Sequence, residues 1–170
     1  GTELNIMNAE GKVDLSEDVL KTLDIAIASI HIPCFRDERT VENVTAAYEN
    51  VMENPYVDII GHPDDGRFPV DMKRLVSKAK KTGTLLEVNN SSLRPEGFRE
   101  NTKENCLRMV KECKEQGVMI VLGSDSHVDA DIAEYPYAEE ILRETDFPEE
   151  LVANVSLEKL KACIKHGKKL

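Results

Sequence analysis

Thr84-Leu85-Leu86-Glu87-Val88-Asn89-Asn90-Ser91-Ser92 carries the reading that decides the fold. It begins as an apolar run of strand length and ends on polar residues. The same order recurs through the chain, as in Ala28-Ser29-Ile30-His31-Ile32-Pro33, Ile59-Ile60-Gly61-His62-Pro63 and Val121-Leu122-Gly123-Ser124-Asp125-Ser126-His127. A run near the start carries Glu3 within it. These runs predict strands over residues 2–7, 24–30, 57–60, 84–88 and 118–122. They are rich in Ile, Val and Leu and nearly continuous in apolar character, as strands buried on both faces are. Amphipathic segments between them predict helices over 41–53, 70–81, 102–116, 134–144 and 157–165. Gly83 and Gly117 stand where helix C-caps stand. Asn101, with Glu104 three residues on, reads as an N-cap. Pro148 falls in a loop before a last acidic turn.

Strands alternating with helices imply an α/β fold with parallel pairing and right-handed crossovers. An open doubly wound sheet and a closed β/α barrel both satisfy the pattern. In either, functional residues gather at the C-terminal ends of the strands. No repeat, low-complexity tract or linker interrupts residues 1–170, so a single domain is the simplest organisation.

The 170 residues include 32 acidic and 22 basic ones, a formal net charge of −10. A surface this acidic disfavours stable binding to nucleic acid or anionic membranes, and no run approaches the ~20 apolar residues of a bilayer span. An anionic substrate would need local cations to reverse the field, and metal ions are the natural source. The opening residues have neither signal-peptide nor transit-peptide character. Cys34, Cys106, Cys113 and Cys163 form no Cys-x-x-Cys pair and read as reduced thiols of a cytoplasmic protein. Cys106 and Cys113, seven apart in a helical segment, fall on one helix face.

Three of four histidines lie just past a predicted strand, while His166 lies in a lysine-rich tail and reads as solvated. His31 and His62 end successive strands, and neighbouring parallel strands lie about 4.8 Å apart. Two imidazoles so placed can grip one metal with Glu3 as carboxylate ligand. Pro33 and Pro63 stiffen the exits. Asp125 and His127 are two apart, so continued strand geometry would aim both at one face, an O/N donor pair suited to Zn, Mn or Fe. Asp125 also fits a helix N-cap. Asn89 to Ser92 fit turn chemistry or hydrogen bonds to a phosphate or a ligand. Asp64-Asp65-Gly66-Arg67 reads as a surface turn. Arg67 and Arg94 are the basic residues nearest the strand ends in sequence, and each can meet a phosphate. Glu87 fits either a barrel interior or a helix contact and receives no role.

The series Gly-Thr-Glu-Leu-Asn-Ile, Ile-His-Ile-Pro, Ile-Ile-Gly-His-Pro, Leu-Glu-Val-Asn-Asn-Ser-Ser and Gly-Ser-Asp-Ser-His resembles the polymerase and histidinol phosphatase (PHP) family, in particular its small bacterial YcdX-like phosphatases. Thr145-Asp146-Phe147-Pro148 and Asn154-Val155-Ser156 extend the resemblance over essentially the whole chain. It implies a distorted (β/α)₇ barrel that hydrolyses phosphoesters with up to three divalent metals, Zn first and Mn or Fe as alternatives. It implies Glu3 as a carboxylate bridging two metals, His31 and His62 as ligands sharing the second metal with it, Asp125 as a ligand of the first metal and His127 of the third. It implies a small phosphorylated substrate and metal-activated water as nucleophile.

The family opens on a strand bearing His-x-His, whereas this sequence has none and begins almost on the glutamate strand. At ~30 residues per β/α unit, its length supplies between five and six units. The sequence therefore resembles the C-terminal portion of such a barrel, without its first strands. It is expected to hold one metal or fewer well and to show weak or absent phosphatase activity. An uncovered sheet edge would favour a homo-oligomer. Two other readings are a non-catalytic relict that binds metal or a partner, and an amidohydrolase-like metallohydrolase. The latter typically uses His-x-His and often a strand-end lysine, and neither is present.

Overall fold

A computed structural model describes residues 1–165; His166 and the four residues after it lie outside the described residues. The described chain alternates strand and helix, as the apolar runs require: β1 (Thr2–Asn5), α1 (Glu17–Leu20), β2 (Ala26–Ser29), α2 (Val41–Val51), β3 (Ile59–Ile60), α3 (Met72–Thr82), β4 (Leu85–Asn89), α4 (Thr102–Gln116), β5 (Ile120–Gly123), α5 (Pro136–Glu144) and α6 (Leu157–Cys163). Short 3₁₀ turns occupy Asp129–Asp131, Glu149–Leu151 and Ala153–Val155. Among the described residues the strands form one five-stranded sheet in the order β1-β2-β3-β4-β5, every pair parallel. This is an α/β fold, and the sequential order carries no reversal such as divides a doubly wound sheet.

Side-chain alternation gives the sheet two unlike faces. Leu4, Ala28, Ile60, Leu86, Val88 and Ile120 point into the main core, where they meet Tyr48, Leu75, Met109 and Ile141 of the helices. Cys106 and Cys113 lie buried together in that core from one face of α4, and all four cysteines are free thiols. The opposite face is apolar only toward the strand starts, where Ile59, Leu85 and Val121 pack with Ile27, Ala153, Leu160 and Cys163. The same face also carries Glu3 of β1, level with Ile27, and, toward the ends of β3, β4 and β5, Gly61, Glu87, Asn89 and Gly123. The polar half of one face is therefore the floor of the site.

Helix ends follow local chemistry. Thr40, Asp71 and Ser156 accept from the third backbone N–H of α2, α3 and α6. Gly83 and Gly117 adopt the left-handed conformation, at φ +69° and +68°. Asn101 does not cap: its own backbone is left-handed and its side chain bonds no helix N–H. Asp64 and Asp65 are not in a surface turn but are buried, 1% and 2% exposed. Segment 64–67 folds inward because Gly66 N–H bonds the carbonyl of Glu100 and the Asn105 amide bonds that of Asp64.

Candidate metal centre

Glu3 leaves the inner face of the edge strand β1, while His31 and His62 each stand two residues past the last residue of β2 and β3. Parallel pairing in register (Glu3 with Ile27, Ile27 with Ile59) brings the three together. His62 Nε2 lies 3.2 Å and His31 Nε2 3.5 Å from the same oxygen, Glu3 Oε1. One donor atom from each residue falls within 4.8 Å of the other two. For a tetrahedral ion with bonds of ~2.0–2.1 Å, donors would be spaced about 3.3 Å apart. Two imidazole nitrogens and one carboxylate oxygen match a site with three protein ligands and an open position.

The protonation states suit a cation. The hydrogen bond with His62 holds the Glu3 carboxyl at about 2, so it is anionic at neutral pH. Burial, with His62 beside it, lowers the His31 pKa. Its tautomer is set at a distance. Asn5 donates its amide to Asp14 (2.6 Å), which leaves Asn5 Oδ1 to accept from His31 Nδ1 at 2.8 Å. The lone pair of His31 is thereby kept on Nε2, facing Glu3. His62 is almost fully buried, its Nδ1 has no partner, and its backbone sits at φ +32°. Its N–H donates to Glu87 Oε2 at 2.7 Å, which fixes the turn that aims the ring.

Glu87 is the inner-face residue that receives no role from the sequence. It is 6% exposed, and burial raises its pKa. It also accepts from Asn89 Nδ2 at 3.1 Å, and that amide bonds Asp125 Oδ2 at 3.2 Å. Asn89 thus belongs to the site's network. Asn90 serves the turn reading instead, its side chain accepting from the N–H groups of Tyr137 and Ala138 that open α5.

Asp125 and His127 lie past the strand and not on it. Strand β5 ends at Gly123 and Asp125 turns left-handed at φ +47°, so the period of two is broken before either residue is placed. The Asp125 side chain is 18% exposed and that of His127 85%, with His127 Nδ1 3.9 Å from Asp125 Oδ1. Neither donor is part of the Glu3–His31–His62 cluster. Arg67 is committed to Asp65 through Nε and Nη2, and Arg94 pairs with Asp131. The arginine at the site is Arg99, whose side chain is 8% exposed. Its Nη1 and Nη2 lie 3.2 and 3.1 Å from Asp125 Oδ2, and Nη1 also bonds Ser92. Arg99 is ten residues past Asn89, at the far end of a loop whose path the sequence does not reveal. Its position after a strand end was the one available signal.

No family model matches the chain. A probable phosphatase of Clostridium novyi (strain NT) is 46% identical over all 170 residues, which cover 68% of that protein. A probable phosphatase of Thermoanaerobacter sp. (strain X514) is 41% identical over 169 residues, 99% of this chain and 68% of its own. In fold, the chain is similar to a histidinol phosphate phosphatase of Lactococcus lactis subsp. lactis Il1403, solved with zinc, L-histidinol and phosphate. The TM-score is 0.53 at 14% identity, over 77% of this chain and 60% of that one. The chain spans less than two thirds of that solved structure.

Proposed function

Since the chain belongs to a family of probable phosphatases, we propose that it is a metal-dependent phosphoesterase of the PHP type that acts on small phosphomonoesters. The observation that carries this is the spacing of Glu3, His31 and His62, with both imidazole Nε2 atoms within 3.5 Å of one carboxylate oxygen. Those residues would hold a divalent cation, with Zn the first choice and Mn or Fe as alternatives. When bound, it supplies charge neutralisation for the phosphoryl oxygens and a lowered pKa for a coordinated water.

The chain's own residues supply the rest. Arg99 offers a planar, buried guanidinium to phosphoryl oxygens, a better-placed partner than Arg67 or Arg94. Its present partner, Asp125, is the carboxylate the PHP resemblance gives to another metal, with His127 exposed beside it. Asp125 and His127 would hold that further cation, and Arg99, now paired with Asp125, is the guanidinium beside them that can meet the phosphate. Asn89 and Glu87 keep Asp125 and His62 in position. In this reading the five sequential parallel strands correspond to the C-terminal portion of a distorted seven-stranded barrel, in the YcdX-like branch. Four free thiols go with a reducing, cytoplasmic setting.

The test is metal content per chain for the native sequence and for His62→Ala, with p-nitrophenyl phosphate turnover measured alongside. We expect about one equivalent in the native chain, lost in the variant, and weak turnover. A folded native chain that holds no metal would overturn the proposal. One equivalent with no turnover would favour the relict reading, for which the exposure of His127 already speaks.

A further inference from the structure

We propose that Phe98 forms the wall of a subsite beside Arg99, and that this subsite takes the planar, uncharged ring of a phosphomonoester's leaving group. The proposal rests on the phosphatase reading above and names the substrate class for the same site. Among the described residues Phe98 is the most exposed of the large apolar side chains, at 74%. An exposed ring of this size forgoes the burial that usually retains it. Yet it is not loose. The guanidinium carbons of Arg67 and Arg99 lie 5.0 and 5.3 Å from its centroid, in cation–π range. Both cations are themselves anchored, Arg67 by Asp65 and Arg99 by Asp125 and Ser92. The ring is therefore held ready with its surface free.

Its neighbourhood fits a ligand. The Arg99 guanidinium touches the Asp125 carboxylate and the Phe98 ring, so a phosphate held by Arg99 would start its leaving group beside that ring. A cavity of about 280 Å³ lies there, lined by Phe98, Arg99, Arg94, Glu96, Ser91 and Ser92. That is near the lower end of small-molecule sites, ~300 Å³. The Arg94–Asp131 pair ties one of these lining residues to the segment after β5. Phe98 is the one large apolar side chain of that lining and stands beside the Arg99 guanidinium, so an aryl phosphate can set its ring against Phe98 with its phosphoryl group on the cation. An aromatic ring entering the cavity would pair with Phe98 offset or edge-on.

The experiment is calorimetric titration of the zinc-loaded chain with phenylphosphonate, methylphosphonate and inorganic phosphate. The native chain should bind phenylphosphonate more tightly than methylphosphonate, by about threefold to tenfold, the range of one aromatic pair. Phe98→Ala should bring that ratio near one, and Phe98→Tyr should restore it. A native ratio near one, or a ratio that survives Phe98→Ala while inorganic phosphate still binds, overturns the subsite and leaves the phosphatase reading intact. Equal weakening of all three ligands in Phe98→Ala also overturns it, since Phe98 would then only brace Arg99. Failure of inorganic phosphate to bind the zinc-loaded native chain removes the phosphatase reading and the subsite together.

Discussion

Asp14 reaches the candidate centre without touching it, through the Asn5 amide that orients His31. Partners of this kind typically matter 10–100-fold in metal affinity. Asn5→Leu is therefore expected to weaken zinc binding by about that factor with the fold retained, read by competition with a chromophoric chelator. Unchanged affinity would mean that Asn5 does not set the His31 tautomer. Asp64 gives a second residue-scale prediction. It is buried, neither carboxylate oxygen has a partner, and burial raises its pKa from 3.8 to about 7. Between those values the folded state binds a proton that the unfolded state has lost, so stability falls as pH rises through that window. In the chelator-stripped chain, urea midpoints should decline from pH 4 to pH 7, and Asp64→Asn should flatten the decline. A midpoint equally steep in the variant would assign the dependence to other groups. The sequence made Glu3, His31 and His62 legible because each stands at or just past an apolar strand. Asp14 and Asn5 were not, since their meeting depends on the turn that bridges Ile6 to Val13. Arg99 was not, since the path of the 90–101 loop decides which arginine turns inward.

At the scale of elements, the site depends on two strands that lack side chains where they flank Glu87. A Cβ added at Gly123 would stand 1.9 Å from Glu87 Oε1, and one at Gly61 2.2 Å from Ser29 Oγ. Gly123→Ala should cost about 1–3 kcal/mol through overpacking. It should also weaken zinc binding, because Glu87 holds the His62 peptide through its N–H. Gly83→Ala is the control. Nothing lies within 4 Å of its added Cβ, but its φ of +69° strains any side chain. Its thermal midpoint should fall while zinc affinity stays unchanged. Loss of zinc affinity in both variants, or in neither, would sever the link between Glu87 and the metal centre. All five strands and five of the helices were legible as periodicities, and α4 matches its expected bounds at both ends. β3 and β5 begin two residues later than their apolar runs, at Ile59 and Ile120, while β4 and β5 run one residue past theirs, to Asn89 and Gly123, and beyond those ends the backbone turns away. His62 and Asp125, both with positive φ, mark those turns. For the same reason the spacing of Asp125 and His127 does not by itself fix where their side chains point: a period of two holds only while the strand lasts. Asp64 and Asp65 read as a turn because local sequence cannot reveal that α4 packs over them.

Across the whole molecule the two sheet edges differ. The β5 edge is closed by the Asn154 side chain, which accepts from the Leu122 N–H and donates to the Leu122 carbonyl, and by the bridge from Ile120 to Val152. The β1 edge carries the carboxylate of the candidate centre, and its neighbouring contacts are local: Asp14 on the Asn5 N–H and the short bridge from Ile6 to Val13. Such an edge opens at lower free energy than the sheet centre. A cation held by Glu3, His31 and His62 would tie the segments of β1, β2 and β3 at one point and remove two of the ten excess negative charges. At a free zinc concentration a hundredfold above Kd, binding adds about 2.7 kcal/mol to the folded state. An amide that exchanges only by breaking the site gains that whole amount, about a hundredfold in protection, whereas one that opens locally elsewhere gains nothing. Zinc should therefore slow hydrogen exchange most in β1, β2 and the 60–63 turn, and leave the ends of α5 and α6 unchanged. His62→Ala should abolish the effect. Uniform slowing over the chain would mean that zinc senses only global unfolding and that the β1 edge is as stable as the core. Slowing centred on 123–127 instead would move the first metal to Asp125 and His127.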